Sequence, residues 1–185
     1  LRSNAAVRQS AAAYEALEAF GPAAWPQPIW DCCAGRGGKT LALLEQGIPV
    51  ALASDPSSRL QALEEEYARL TPKSPLPVLA TAPAQEVFRD NAPAGLPQDV
   101  RFGTILVDAP CSGLGTLARR PEVRLRRTEE DVVRLLRTQR EILDAVAKRL
   151  RPGGLLIYMT CTLNPAENQG QVADFLSRHP NARLE

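Results

Sequence analysis

Two cysteines stand in motifs that suit covalent chemistry on a base: Asp108-Ala109-Pro110-Cys111 and Thr160-Cys161. A thiolate that adds to carbon 6 of a pyrimidine makes carbon 5 nucleophilic enough to accept a methyl group. The thiol must later leave, which requires a base to remove the proton from carbon 5. Addition also loads charge onto the ring, and an acid beside ring nitrogen 3 and the exocyclic amine stabilises it. Asp108, Cys111 and Cys161 are the residue types for those three tasks. Cys161 precedes a predicted helix capped at Asn164, and a helix N-terminus favours the thiolate, lowering a thiol pKa from its free value of about 8.5. Cys111 leads into Ser112-Gly113-Leu114-Gly115, with no helix start in view. One cysteine alone reads as a small buried apolar residue; two beside cofactor-type motifs read as chemistry.

The glycine-rich turn Asp31-Cys32-Cys33-Ala34-Gly35-Arg36-Gly37-Gly38-Lys39-Thr40 has two lookalikes to exclude. A phosphate-binding Gly-x-x-x-x-Gly-Lys-Thr loop fits at Gly38-Lys39-Thr40, but its first glycine falls on Cys33. A nicotinamide fingerprint starting at Gly35 places Thr40 where its third glycine belongs. What remains is Asp31-x-Cys33-x-Gly35-x-Gly37, close to the spacing of turns that bind S-adenosylmethionine. There a backbone free of side chains lets the methionine part of the cofactor lie against the loop and the following helix N-terminus. The expected cofactor-binding residues are Cys33, Ala34, Gly35, Arg36, Gly37, Gly38 and Lys39. Asp55 joins them as acceptor of the ribose hydroxyls, and Asp108 is also placed at the cofactor.

The elements that must position these residues are legible in outline. Strands are expected at 29–32, 50–54, 78–80, 104–107 and 155–159, with helices from about 39, over 57–70, over 128–150 and from 164 to about 177. The stretch 82–100 reads mostly as loop. Thr128 with Asp131 forms a capping box, Pro152-Gly153-Gly154 ends the long helix, and Asn164 with Pro165 opens the last one. Apolar strands alternating with amphipathic helices imply a parallel sheet, a doubly wound Rossmann-like α/β domain. One catalytic domain is expected over 1–185, with an N-terminal helix and lead-in over 1–27 and the core over 28–185. In such sheets ligands bind beyond the carboxyl ends of the strands, where Asp31, Asp55, Asp108 and Cys161 all fall.

Composition narrows the class. The 185 residues carry 22 Lys+Arg against 21 Asp+Glu, with 44% hydrophobic and 23% charged residues, which excludes disordered, collagen-like and coiled-coil readings. No membrane span or signal peptide is expected, and four cysteines without a CxxC pair, with a single histidine, argue against a metal site or a disulfide scaffold; a reducing cytoplasm is the default. The start at Leu1 rather than Met suggests a fragment or processed chain. Residues 116–151 hold eleven basic residues against six acids, a local +5 in a chain of net +1. Arg119, Arg120 and Arg124 are expected to contact phosphate, because a guanidinium meets a polyanion with a planar fork of donors. His179 reads as a solvated or capping residue, and Trp25 and Trp30 as core.

Taken together, these motifs resemble the Sun/Fmu-type RNA cytosine-5 methyltransferases. The resemblance rests on the turn at 31–40, on Asp108-Ala109-Pro110-Cys111-Ser112-Gly113-Leu114-Gly115 with Arg119-Arg120-Pro121-Glu122, and on Pro152-Gly153-Gly154 through Thr160-Cys161 to Glu167-Asn168. It spans nearly the whole chain, including Gln9-Ser10. It implies S-adenosylmethionine as methyl donor, Cys161 as covalent nucleophile, Cys111 assisting product release, Asp108 contacting the target base, and structured RNA, commonly ribosomal RNA, as substrate. The chain departs from the family at Gly35-Arg36, where Ala-Pro is usual, and at Ala82, where an acid that meets the adenine amine is expected. The family also carries an upstream RNA-binding region and further C-terminal strands, for which this chain has no room. Two other readings stay open: a DNA cytosine-5 methyltransferase using Cys111, and a catalytically silent RNA-binding or assembly module.

Overall fold

The computed structural model describes residues 11–70, 72–123 and 127–185. The chain divides into two compact units, one of residues 1–107 and 149–157, the other of residues 108–148 and 158–185.

The first unit is built on a sheet of β1 (Ile29–Asp31), β2 (Leu52–Ser54), β3 (Val78–Ala80), β4 (Phe102–Asp108) and β5 (Leu150–Met159), whose last residues in β4 and β5 pass into the second unit. The strand order is β3-β2-β1-β4-β5, and the pairs β2–β3, β1–β2 and β1–β4 are parallel. The chain thus steps outward from β1 to β3 and returns to the other side of β1, the reversal that defines a doubly wound sheet. The register sets Trp30 against Leu52 and Ile105, so the strand carrying Asp31 is the sheet's centre. Phe102 to Val107 are all buried, which explains why β4 reads as an unbroken apolar, β-branched run rather than an alternating one.

Helices α1 (Ala11–Ala19), α2 (Gly38–Glu45) and α3 (Arg59–Leu70) belong to this unit. Leu41, Ala53, Leu60 and Leu63 form a core cluster with Tyr67 and Leu79 against it. Trp30 and Phe102 pack at 5.3 Å between ring centroids, Phe88 joins both, and Arg149 lies 4.3 Å over the Phe88 ring. Phe88 comes from the stretch 82–100, which has neither helix nor strand, as expected, yet buries Ala84 and Val87. Trp25 and Trp30 are core residues.

The second unit holds α4 (Glu129–Ala147) and α5 (Gln169–Arg178), preceded by a 3-10 turn at Pro165–Glu167. The capping box is present: Asp131 N–H donates to the Thr128 hydroxyl at 3.2 Å, and Thr128 N–H donates to the Asp131 carboxylate at 3.0 Å. Gln139, Ile142, Leu143 and Val146 are the buried residues of α4. His179 closes α5, stacks on Phe175 at 4.2 Å and meets the Asp144 carboxylate at 2.8 Å. Among the described residues no helix is long and apolar enough to cross a membrane.

Two expectations are corrected. The long helix stops at Ala147 rather than 150, and Pro152-Gly153-Gly154 lies inside the span of β5. The Phe102 N–H donates to the Arg149 carbonyl at 2.8 Å, so sheet pairing claims the chain before the glycines do. The last helix is not continuous from Asn164. Asn168 leaves helical geometry at φ −109°, ψ −98°, because its side chain is engaged with the Cys161 loop through Thr160 and the Thr162 carbonyl. A three-residue turn therefore follows Cys161, and the helix-terminus argument for its thiolate lapses.

Candidate active site

The glycine-rich turn lies in the first unit. Asp31, almost wholly buried, accepts the Thr40 hydroxyl at 2.6 Å, which assigns Thr40 to holding the turn rather than to binding a phosphate. Ala34 N–H donates to the Ser54 carbonyl at 2.9 Å and Gly37 N–H to the Ala34 carbonyl at 2.8 Å. Gly37 must be glycine twice over. Its φ is +81°, and a Cβ there would sit 2.4 Å from a Leu63 methyl. Gly35 also has positive φ, +58°, but a Cβ there would meet nothing within 4 Å, so its backbone borders open space. Arg36 is exposed, while Cys33, Ala34, Gly38 and Lys39 are half-buried. Burial, reinforced by the neighbouring Cys33 thiol, pushes the Cys32 thiol well above its ordinary pKa, which makes it an inert packing residue.

Asp55 follows β2 directly with a buried carboxylate, one oxygen of which accepts the Gly35 N–H at 3.0 Å. Its other oxygen accepts the Ser57 N–H at 3.1 Å and the Ser57 hydroxyl, with exposed Arg59 at 3.3 Å. This carboxylate first of all orders the turn. The Arg59 contact is the one a ribose hydroxyl can replace, since that side chain is 56% exposed. At the end of β3 no acid is found at Ala82, whose N–H turns back to the Ala80 carbonyl at 2.9 Å. The open backbone at Gly35 and the Asp55 carboxylate thus fit the methionine and ribose parts of S-adenosylmethionine, and the adenine amine finds no acidic partner at 82.

The second unit brings the two cysteines together, 50 residues apart in sequence. Their sulfurs lie 3.2 Å apart, and the Cys161 N–H donates to the Cys111 sulfur at 3.3 Å. Cys161 is exposed and Cys111 half-buried. The hydrogen bond shared with the Cys161 thiol, and then burial, push the Cys111 thiol far above the ordinary thiol range. Asp108, half-buried, closes β4 three residues before Cys111. Gly115 N–H donates to the Cys161 carbonyl at 3.0 Å. Arg119 and Arg120 are exposed, and Arg124 lies outside the described residues. Among the described residues no group of His, Cys, Asp or Glu could hold a metal ion.

Beneath the thiols is a buried polar cluster that sequence reading missed. Glu167, fully buried, accepts the Ser112 N–H at 2.8 Å, the Ser112 hydroxyl, the Gln139 amide at 3.1 Å and the Asn164 amide at 3.3 Å. Gln139 also donates to the Pro110 carbonyl at 2.9 Å, and the Ser112 and Thr162 hydroxyls meet at 2.7 Å. Gln139 was the available signal, since a lone amide on the stripe of Leu136, Leu143 and Val146 has no apolar reason to be there.

The family described as 16S rRNA methyltransferase RsmB/F matches residues 23–185. The ribosomal RNA small subunit methyltransferase B of Vibrio cholerae is 41% identical over 95% of this chain and 39% of its own length. That of Yersinia pseudotuberculosis is 36% identical over the same shares. The crystal structure of NSun6 from Pyrococcus horikoshii with SFG superposes with a TM-score of 0.66 at 34% identity, covering 81% of this chain and 36% of that one. The chain spans about two fifths of the length of the curated relatives it matches. With its Pro-Cys and Thr-Cys sulfurs 3.2 Å apart and its match running over residues 23–185, this chain belongs to the 16S rRNA methyltransferase RsmB/F family.

Proposed function

We propose that this chain carries the S-adenosylmethionine-dependent methylation of carbon 5 of a cytosine in structured ribosomal RNA, through a covalent adduct to Cys161. The observation that carries the reading is the 3.2 Å approach of the Cys111 and Cys161 sulfurs. When bound, S-adenosylmethionine supplies an electrophilic methyl group. Cys33 to Lys39 hold its methionine part and Asp55 its ribose; the neighbour with SFG, an analogue of S-adenosylmethionine, supports that cofactor. The family and the names of the relatives support ribosomal RNA as substrate.

The residues then divide the work. Cys161, the exposed thiol, gives its proton to solvent and adds through sulfur to carbon 6, while Asp108 stabilises the charge that develops at ring nitrogen 3 and the amine. Once the Cys161 sulfur is bonded to carbon, Cys111 loses the contact that most raises its pKa. Its own proton then passes to solvent, and the resulting thiolate takes the proton of carbon 5 as the C6–S bond breaks and Cys161 departs. Arg119, Arg120 and Arg124 meet RNA phosphates.

The test is an RNA trap carrying 5-fluorocytosine, whose fluorine cannot leave as the proton does. The adduct forms in the wild type and in Cys111→Ser and is absent in Cys161→Ser. An adduct on Cys111 instead identifies a Pro-Cys nucleophile of the DNA-methyltransferase kind, and no methyl incorporation in any form identifies a silent RNA-binding module.

A further inference from the structure

We infer that Glu167, acting with Gln139, is a positioning residue that sets the separation of the two active-site sulfurs. The inference rests on the cytosine-5 reading for its catalytic consequence, and on the geometry alone for the placement. Cys111 is clamped on both sides: the carbonyl before it, at Pro110, accepts from Gln139, and the N–H after it, at Ser112, donates to Glu167. The neighbouring residue, Asn168, holds the other loop by donating to the Thr162 carbonyl at 3.1 Å and pairing with the Thr160 hydroxyl. Two consecutive residues therefore each hold one cysteine loop.

The Glu167 main chain is itself fixed, because its carbonyl accepts the Tyr158 hydroxyl at 2.8 Å at the end of β5. Each of its carboxylate oxygens takes two donors, which fills the roughly four acceptor sites a carboxylate offers. No cation is among these partners. This carboxylate works purely as an acceptor hub, so its chemistry, and not merely its volume, is needed. An amide of the same shape would turn N–H groups toward N–H donors and push the Ser112 loop away. The mechanism uses neither Glu167 nor Gln139 in contact with the base, yet a misplacement of about 1 Å at a reacting group can cost on the order of a hundredfold in rate.

The test is Glu167→Gln in the intact protein, with phenylarsine oxide as a ruler. This trivalent arsenical bridges two close thiols, losing its oxygen as water with the two thiol protons. Peptide mass spectrometry separates a Cys111–Cys161 bridge from one at Cys32–Cys33. The wild type forms the Cys111–Cys161 bridge; Glu167→Gln forms it at least about tenfold more slowly, and its kcat for RNA methylation falls about 10–100-fold with KM within about twofold. Ser112→Ala, which removes one donor and keeps the N–H, gives a smaller shift in the same direction and decides the matter if Glu167→Gln does not fold. Unchanged bridging in a folded variant overturns the inference. Bridging that depends on Glu167 in a wild-type protein without methyl transfer upholds the placement and overturns the cytosine-5 reading.

Discussion

Gly115 touches the backbone of Cys161: its N–H donates to the Cys161 carbonyl, and a Cβ at Gly115 would lie 2.9 Å from that same oxygen. The contact is with main chain, which cannot rotate aside as a side chain would. The position has no positive φ, so alanine suits its backbone and only the close approach resists it. Gly115→Ala should therefore cost on the order of 1–3 kcal/mol of stability, read by thermal unfolding, and reduce the single-turnover methylation rate roughly 10–100-fold, by moving the Cys161 loop.

Asp55 predicts a cofactor effect. Removing the carboxylate deprives Gly35 and Ser57 of their acceptor, and hydrogen bonds to a charged group contribute about 1.5–3 kcal/mol. Asp55→Ala should weaken S-adenosylmethionine binding on the order of tenfold or more, read by equilibrium dialysis. Unchanged affinity would remove Asp55 from the cofactor site.

Arg119 and Arg120 are exposed beyond the Cys111 loop. Each charge-removing substitution should weaken RNA binding across all sequences and reduce the slope of log affinity against log salt by about one. A salt slope equal to that of the wild type would exclude a phosphate contact.

The Cys111 thiol has a signed pH dependence. Its pKa is raised in the fold, first by the hydrogen bond shared with the Cys161 thiol and then by burial. The protonated form is the one the fold favours, so this contribution to stability is fully present below the ordinary thiol range near 8.5 and fades as pH climbs above it. Iodoacetamide should label Cys111 slowly at pH 8 in the wild type. Cys161→Ala, which deletes the first cause, should speed that labelling and move its pH profile downward.

The 5-fluorocytosine trap separates the two thiols by outcome rather than by rate. Loss of the adduct in Cys161→Ser with persistence in Cys111→Ser is the expected pair of results on a denaturing gel.

The sequence by itself determined which strands would form and what their ends would carry. A buried parallel strand is apolar along its whole length, so the strands expected at 29–32 and 104–107 stand out in one dimension, and the turn chemistry of Gly37 and the Thr128 cap is local. The cysteine motifs were visible for the same reason. The tertiary structure alone decided what fills the space under them. Glu167 read as the first turn of a helix, and only the fold turned its carboxylate inward onto Ser112, 55 residues away. Asn168 likewise left its helix for the Thr160 hydroxyl. Hydrogen bonds between distant segments satisfy buried polar groups whose partners no local pattern names, and that is why only the tertiary structure sets the sulfur separation.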